Sequence, residues 1–175
     1  MNYSKIIYYD TANAHGLSTV LFVSGCNHHC DGCHNPETWN KENGELFTLK
    51  VLNEIIESLK KPYIKNFVIS GGDPLALYNR KVVLTICKWV KRQVPDINII
   101  VYTGYKIEHL PSYYCDLLFP FIDYLIDGEF DKALKPEKLE LRGSVNQRCW
   151  QIIHSTKNNY KKFDISDEYF GGMNK

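Results

Sequence analysis

The stretch Thr19-Val20-Leu21-Phe22-Val23-Ser24-Gly25-Cys26-Asn27-His28-His29-Cys30-Asp31-Gly32-Cys33 carries two signals in sequence. Its first five residues are a short, apolar, β-rich run, the pattern of a strand buried on both faces. The run passes through Ser24-Gly25 into three cysteines crowded within eight residues. A cysteine loop is thus expected beyond the C-terminal end of a buried strand.

Working outward, Leu49, Leu52, Ile55, Ile56 and Leu59 recur at helical spacing, with Thr48 as N-cap and Pro62 closing the segment. A second strand, Phe67-Val68-Ile69-Ser70, ends in Gly71-Gly72-Asp73-Pro74, and a helix follows through Val82, Val83, Ile86 and Val90. The third strand, Ile97 to Tyr102, runs into Thr103-Gly104-Tyr105. A short helical stretch reaches Leu118, and a fourth strand, Tyr124-Leu125-Ile126, ends at Asp127-Gly128. Strands alternating with helices predict an α/β fold with a mostly parallel sheet and right-handed crossovers, in which ligands bind outside the carboxyl ends of the strands. Four such units are too few to close an eight-stranded barrel, so the expectation is an open, partial (β/α) barrel with the site on its concave C-terminal edge. Ile6-Ile7-Tyr8-Tyr9 is expected to add an edge strand. Residues 1–155 read as one domain, and 156–175, with Lys157, Lys161, Lys162 and Gly171-Gly172, as a loosely attached tail.

Composition bounds the function. A chain of 175 residues with 44% hydrophobic and 23% charged residues can bury one core. Its net charge of +1, from 21 basic and 20 acidic residues, leaves no electrostatic footprint for nucleic acid or an anionic membrane. The N-terminal residues Met1 to Ile7 lack a sustained apolar run and no segment is long enough to span a bilayer, so a cytoplasmic location is expected. Cys87, Cys115 and Cys149 sit far apart in apolar surroundings and read as small buried hydrophobes.

The crowded trio has CxxxCxxC spacing, which lets one loop wrap three thiolates around a compact metal centre. Three protein ligands on a four-iron cluster leave one iron open, as catalytic zinc sites leave one position for substrate. The alternative is a structural zinc with His28, His29 or His34 as fourth ligand. Zinc of that kind usually joins two separated ligand pairs, whereas this trio sits in one loop of a chain that can bury its own core. In Gly71-Gly72-Asp73-Pro74, two glycines permit close backbone approach and the carboxylate can meet a cationic amine, although the same residues also make an ordinary tight turn. Thr103 and Asp127 occupy strand ends on the same rim, again as ligand contacts or as turn residues.

At this loop the sequence resembles the radical S-adenosylmethionine superfamily, whose CxxxCxxC signature binds a 4Fe-4S cluster. The resemblance implies that Cys26, Cys30 and Cys33 ligate the cluster and that its open iron chelates the methionyl amino and carboxylate groups of S-adenosyl-L-methionine. Gly71, Gly72 and Asp73 stand where the superfamily has a Gly-Gly-Glu-like segment that binds the methionyl amine. Where the superfamily commonly has an aromatic residue near the adenine, just before the third cysteine, this chain has Gly32, with His34 just beyond Cys33.

The stretches Leu21 to Trp39, Val101 to Tyr105 and Arg142 to Arg148 look like those of the activating components of anaerobic ribonucleoside-triphosphate reductases, so the resemblance runs in order from about Asp10 to Arg148. It implies an activase that cleaves S-adenosylmethionine reductively and leaves a glycyl radical on the large subunit of that reductase, with a flavodoxin-like electron donor. On residue chemistry, Arg142 and Arg148 are candidates for bidentate contacts with the partner protein, and Asn146 and Gln147 for hydrogen bonds to an extended glycine loop. The rival readings are a pyruvate formate-lyase activase-like or small-molecule enzyme of the same superfamily, and a non-catalytic metal-binding interaction module.

Overall fold

A computed structural model of the chain describes residues 1–156 and 159–171. Lys157 and Gly172, both assigned to the tail, lie outside the described residues. The described residues form one eight-stranded sheet: β1 (Asn2–Asp10), β2 (Ser18–Val23), β3 (Glu45–Leu46), β4 (Asn66–Gly71), β5 (Asn98–Tyr102), β6 (Tyr124–Asp127), β7 (Arg148–Thr156) and β8 (Asn159–Asp164). Four helices accompany it: α1 (Leu49–Leu59), α2 (Arg80–Gln93), α3 (Ser112–Leu118) and α4 (Ser166–Tyr169).

The strand order is β3-β1-β2-β4-β5-β6-β7-β8, so the sheet is open. The pairs β2·β4, β4·β5 and β5·β6 are parallel. The other four pairs, β1·β2, β1·β3, β6·β7 and β7·β8, are antiparallel. The expectation of a mostly parallel partial barrel is therefore corrected to a mixed sheet with more antiparallel than parallel pairings. The physical reason lies in the connections. Parallel neighbours need a long crossover, which α1, α2 and α3 supply between β2, β4, β5 and β6. The flanking strands have no such helix between them and their neighbours, and they return antiparallel.

The centre of the sheet follows the sequence closely. All six residues of β2 are buried, as a strand with neighbours on both sides and both faces covered requires. Thr48 caps α1, its hydroxyl accepting from the Val51 amide at 3.4 Å. Leu52, Ile55, Ile56 and Leu59 form the buried stripe of α1, while Leu49 is exposed. In α2 the stripe is Val83, Ile86, Cys87 and Val90. The pleat sorts strand residues between two cores. Leu21, Phe67, Ile69, Ile99 and Leu125 face the helices, whereas Val20, Phe22, Val68, Ile100 and Ile126 face the other way.

Among the described residues, that second face carries no long helix. It is covered by Ala14 from the β1–β2 loop and by Tyr169 and Phe170. Residues 159–171, assigned from sequence to a tail, supply β8 and α4. Cys87, Cys115 and Cys149 are buried free thiols, as expected of small hydrophobes.

Candidate metal centre

Parallel strands β2, β4 and β5 point their C-terminal ends at one rim, and three loops meet there. Gly25 ends the first, with φ +99°, a left-handed conformation that suits glycine. Its amide donates to the Thr38 carbonyl at 2.7 Å and the Cys26 amide to the Trp39 carbonyl at 3.1 Å, closing the cysteine loop into a compact ring. His29 at φ +51° and Gly32 at φ +71° provide further left-handed positions inside that ring. A side chain at Gly32 would be strained, which is a physical reason for glycine before the third cysteine.

The β4 loop packs against the cysteine loop backbone to backbone. The Gly72 amide donates to the Val23 carbonyl at 2.8 Å and the Asp73 amide to the Gly25 carbonyl at 2.7 Å. A Cβ added at Gly72 would lie 2.5 Å from the Gly25 carbonyl oxygen, so only glycine allows this approach.

Cys26, Cys30 and Cys33 are all free, partly exposed thiols on one cavity of about 340 Å³, within the size range of small-molecule sites. The Asn35 amide donates to Cys33 Sγ at 3.4 Å. Burial, aided by the Glu129 carboxylate, pushes the Cys30 thiol up to about 11, and burial also raises Cys26. A thiolate is the form that binds metal, so any metal centre held by these two sulfurs would have to displace their protons.

The three histidines of the loop are engaged elsewhere. His28 Nε2 lies 2.8 Å from Asp73 Oδ2, His29 packs on Trp39 with ring centroids 4.9 Å apart, and His34 Nε2 lies 2.8 Å from Lys135 Nζ. Burial and the Lys135 ammonium lower the His34 imidazole from its ordinary value. His28 and His34 also line the cavity, but each ring already has a partner, so the three free thiols fit an iron–sulfur cluster better than a closed zinc site.

A family model described as a 4Fe-4S single cluster domain matches residues 12–150. The anaerobic ribonucleoside-triphosphate reductase-activating protein of Enterobacteria phage T4 is 43% identical over 150 residues, which are 86% of this chain and 94% of that protein. The protein of the same name from Haemophilus influenzae is 42% identical over 159 residues, 90% of this chain and 99% of that one. The Escherichia coli K12 protein is 38% identical over 156 residues. This chain belongs to the family of anaerobic ribonucleoside-triphosphate reductase-activating proteins. Like the family model, it carries an iron–sulfur domain, and all three cysteines of the loop lie inside the matched residues.

In this member of the activating-protein family, Cys33, His34, Gly71, Gly72 and Thr103 line the same cavity as Cys26 and Cys30. Gly32, Asp73 and Asp127 do not. Gly32 faces the Lys132 side chain. Asp73 is buried among hydrogen-bond donors, and Asp127, fully buried, accepts from the Ile107 amide at 2.7 Å and from Arg148 Nε at 2.9 Å. Arg148 also holds Glu108 in a two-point pair at 2.9 and 2.8 Å. Arg142 lines the cavity, donating to the Val145 and Gln147 carbonyls while its guanidinium lies 4.2 Å from the centroid of the Phe170 ring. The Gln147 amide bonds to Gly128 and Gly143, and Asn146 Nδ2 donates to the Glu129 carbonyl at 2.8 Å.

Tyr102, Phe130 and Leu141, none of them among the residues expected at the site, give the cavity its apolar wall. The Tyr102 hydroxyl lies 2.9 Å from the Asn13 carbonyl and 2.7 Å from the Leu141 carbonyl, its one proton available to either, and so ties two loops over the site. Its signal was available, since an aromatic residue ending a buried strand points at the rim. Phe130 and Leu141 lie in a segment without periodicity, so their contact could not be read. No helix among the described residues is long and apolar enough to cross a membrane.

Proposed function

We propose that this chain is a radical S-adenosylmethionine activase that generates a glycyl radical on the large subunit of an anaerobic ribonucleoside-triphosphate reductase. The observation that carries the reading is the gathering of Cys26, Cys30 and Cys33 with Gly71, Gly72 and Thr103 around one cavity at the ends of parallel strands. Family membership supports the same partner, because the relatives are named for activating that reductase.

The three cysteines would hold a 4Fe-4S cluster, with one iron left for the methionyl amino and carboxylate groups. When bound, the cluster supplies the low-potential electron that splits the sulfonium into methionine and a 5′-deoxyadenosyl radical. Its potential must lie near the low end of the roughly −700 to +450 mV range of protein clusters, which calls for an external donor of the reduced flavodoxin type. The chain's own residues bind and orient. Backbone groups of Gly71 and Gly72 with Thr103 would hold the methionyl end, and the His34 and Phe130 rings, 5.3 Å apart, would offer the adenine an aromatic wall. Tyr102, Leu139 and Leu141 keep water from the reacting centre.

The target is a backbone glycine of the reductase, from whose α-carbon one hydrogen atom passes to the 5′-carbon. Glycine suits this step because the absence of a side chain lets its backbone approach closely. Within residues 142–148, Arg142, Gly143 and Gln147 line the cavity. There Arg142, Asn146, Gln147 and Arg148 would serve the partner surface chiefly by holding the segment in shape.

The test is anaerobic reconstitution with iron and sulfide, reduction with dithionite, and chromatographic detection of 5′-deoxyadenosine formed from S-adenosylmethionine. Product that disappears in Cys30→Ala is the expected result. No product from protein bearing a reduced four-iron cluster would reject the reading in favour of a binding module.

A further inference from the structure

The imidazole of His28 projects from the cysteine loop, between the first two cysteines, and meets the ends of three strands. Beyond β4, its Nε2 lies 2.8 Å from Asp73 Oδ2. Beyond β5, its ring packs edge-on against Tyr105 with centroids 4.6 Å apart. A Cβ added at Gly104 would lie 2.5 Å from the ring, so that residue must lack one. Beyond β6, His28 Nδ1 lies 3.7 Å from Glu129 Oε2.

The Asp73 carboxylate is filled. Only 1% exposed, it accepts at Oδ1 from the Leu75 amide at 2.7 Å and from the Thr103 hydroxyl at 2.9 Å. Oδ2 takes the Gly104 amide at 3.1 Å and faces His28. A carboxylate offers about four acceptor sites, and four protein groups occupy them. Asp73 also stands off the cavity wall, where Gly71, Gly72 and Thr103 are found.

We infer that His28 and Asp73 form a latch that fastens the cysteine loop to the strand ends, so that Asp73 is a positioning residue and not a contact for the methionyl ammonium. Three ligands on one loop would otherwise lose conformational freedom when they close on a metal centre. A loop held beforehand avoids that cost. His28 is placed for this task because one imidazole can engage Asp73 through Nε2 while its other nitrogen faces Glu129. Charge-assisted hydrogen bonds of this kind are among the stronger single contacts available to a loop.

The purpose of the latch rests on the cluster reading above, but the latch itself is a property of the metal-free chain. The first experiment is therefore amide hydrogen exchange of residues 26–34 in metal-free protein. His28→Ala is expected to speed exchange there about tenfold, the size of one lost charge-assisted hydrogen bond. His28→Gln, whose amide can donate to Asp73, is expected to recover most of the protection. Unchanged exchange in His28→Ala, or no recovery in His28→Gln, would overturn the latch.

The second experiment uses reconstituted protein. Asp73→Asn keeps the side chain's shape but turns a donor toward Gly104, so iron loss to a chelator should quicken. Affinity for S-adenosylmethionine, measured by dialysis on the cluster-bearing fraction, should stay within about threefold, since no direct contact is lost. Normal iron retention with affinity about tenfold weaker or more would make Asp73 the ammonium contact and overturn the inference. Should Asp73→Asn fail to fold, the His28 variants decide alone. A wild-type chain that binds no cluster would remove the proposed function and leave the exchange result standing.

Discussion

The two faces of the central sheet are built from the same strands by different means. On one face Leu21, Phe67, Ile69 and Ile99 pack against the apolar stripes of α1, α2 and α3. Helices reach this face because β2, β4, β5 and β6 advance in one direction across the sheet, and crossovers of one hand then fall on one side. On the other face Val20, Phe22, Val68 and Ile100 meet loop residues and the short α4. The cavity shares walls with this second face, through Tyr102 and Leu141. Regular packing thus supplies stability on one side, and irregular chain supplies the site on the other, where loops can be shaped around a ligand.

If that division holds, the largest stability effect belongs to the helical face. Phe67→Ala, at a fully buried position, should cost about 3–5 kcal/mol in urea unfolding. The folded fraction should still bind iron with wild-type stoichiometry, and loss of iron from folded protein would show that the two faces are not independent. Gly72→Ala should show the reverse pattern. Its new Cβ would press on the Gly25 carbonyl from 2.5 Å, so the two loops must part. A cost of about 1–3 kcal/mol is expected from such overpacking, with activation reduced by about a hundredfold, the effect of a displacement of about 1 Å at a reacting site.

Arg148→Ala probes the sheet's antiparallel end. It leaves buried Asp127 with only the Ile107 amide and frees Glu108, at about 2 kcal/mol, less than a fully buried pair because Arg148 is partly exposed. The Arg148 guanidinium holds the Glu108 carboxyl down at about 2, below its ordinary 4.5. A lowered carboxyl contributes stability that is fully present above the ordinary value and is lost as pH falls toward the folded one. Wild-type stability should therefore fall between about pH 4.5 and 2 through this pair, and Arg148→Ala should remove that part of the slope. The smallest effect is at the α1 cap. Thr48→Ala should cost about 0.5–1 kcal/mol, given its 3.4 Å contact, and leave the site untouched.

The helical face was legible in the sequence because short apolar strand runs alternate there with helical stripes such as Leu52, Ile55, Ile56 and Leu59. The same alternation misled at the edges. Glu45–Leu46 is an exposed two-residue strand with no pattern to read. Arg148–Thr156 and Asn159–Asp164, the latter at the sheet's edge, mix charged, polar and apolar residues, as antiparallel strands with a solvated face do. At the site, cysteine spacing alone located the loop, because its three thiols are neighbours in sequence. The contact between His28 and Asp73 spans 45 positions, and the side chains of Asp127 and Arg148 find each other across a strand pair that was not foreseen. Local chemistry could be read; partners brought together by the sheet could not.

The central claim is most directly tested by electron paramagnetic resonance of a purified anaerobic ribonucleoside-triphosphate reductase after incubation with this chain, S-adenosylmethionine and an electron source. A glycyl radical signal is expected on the reductase that requires both the chain and S-adenosylmethionine and is absent with Cys30→Ala. No glycyl signal from a cluster-loaded chain that forms 5′-deoxyadenosine would contradict it.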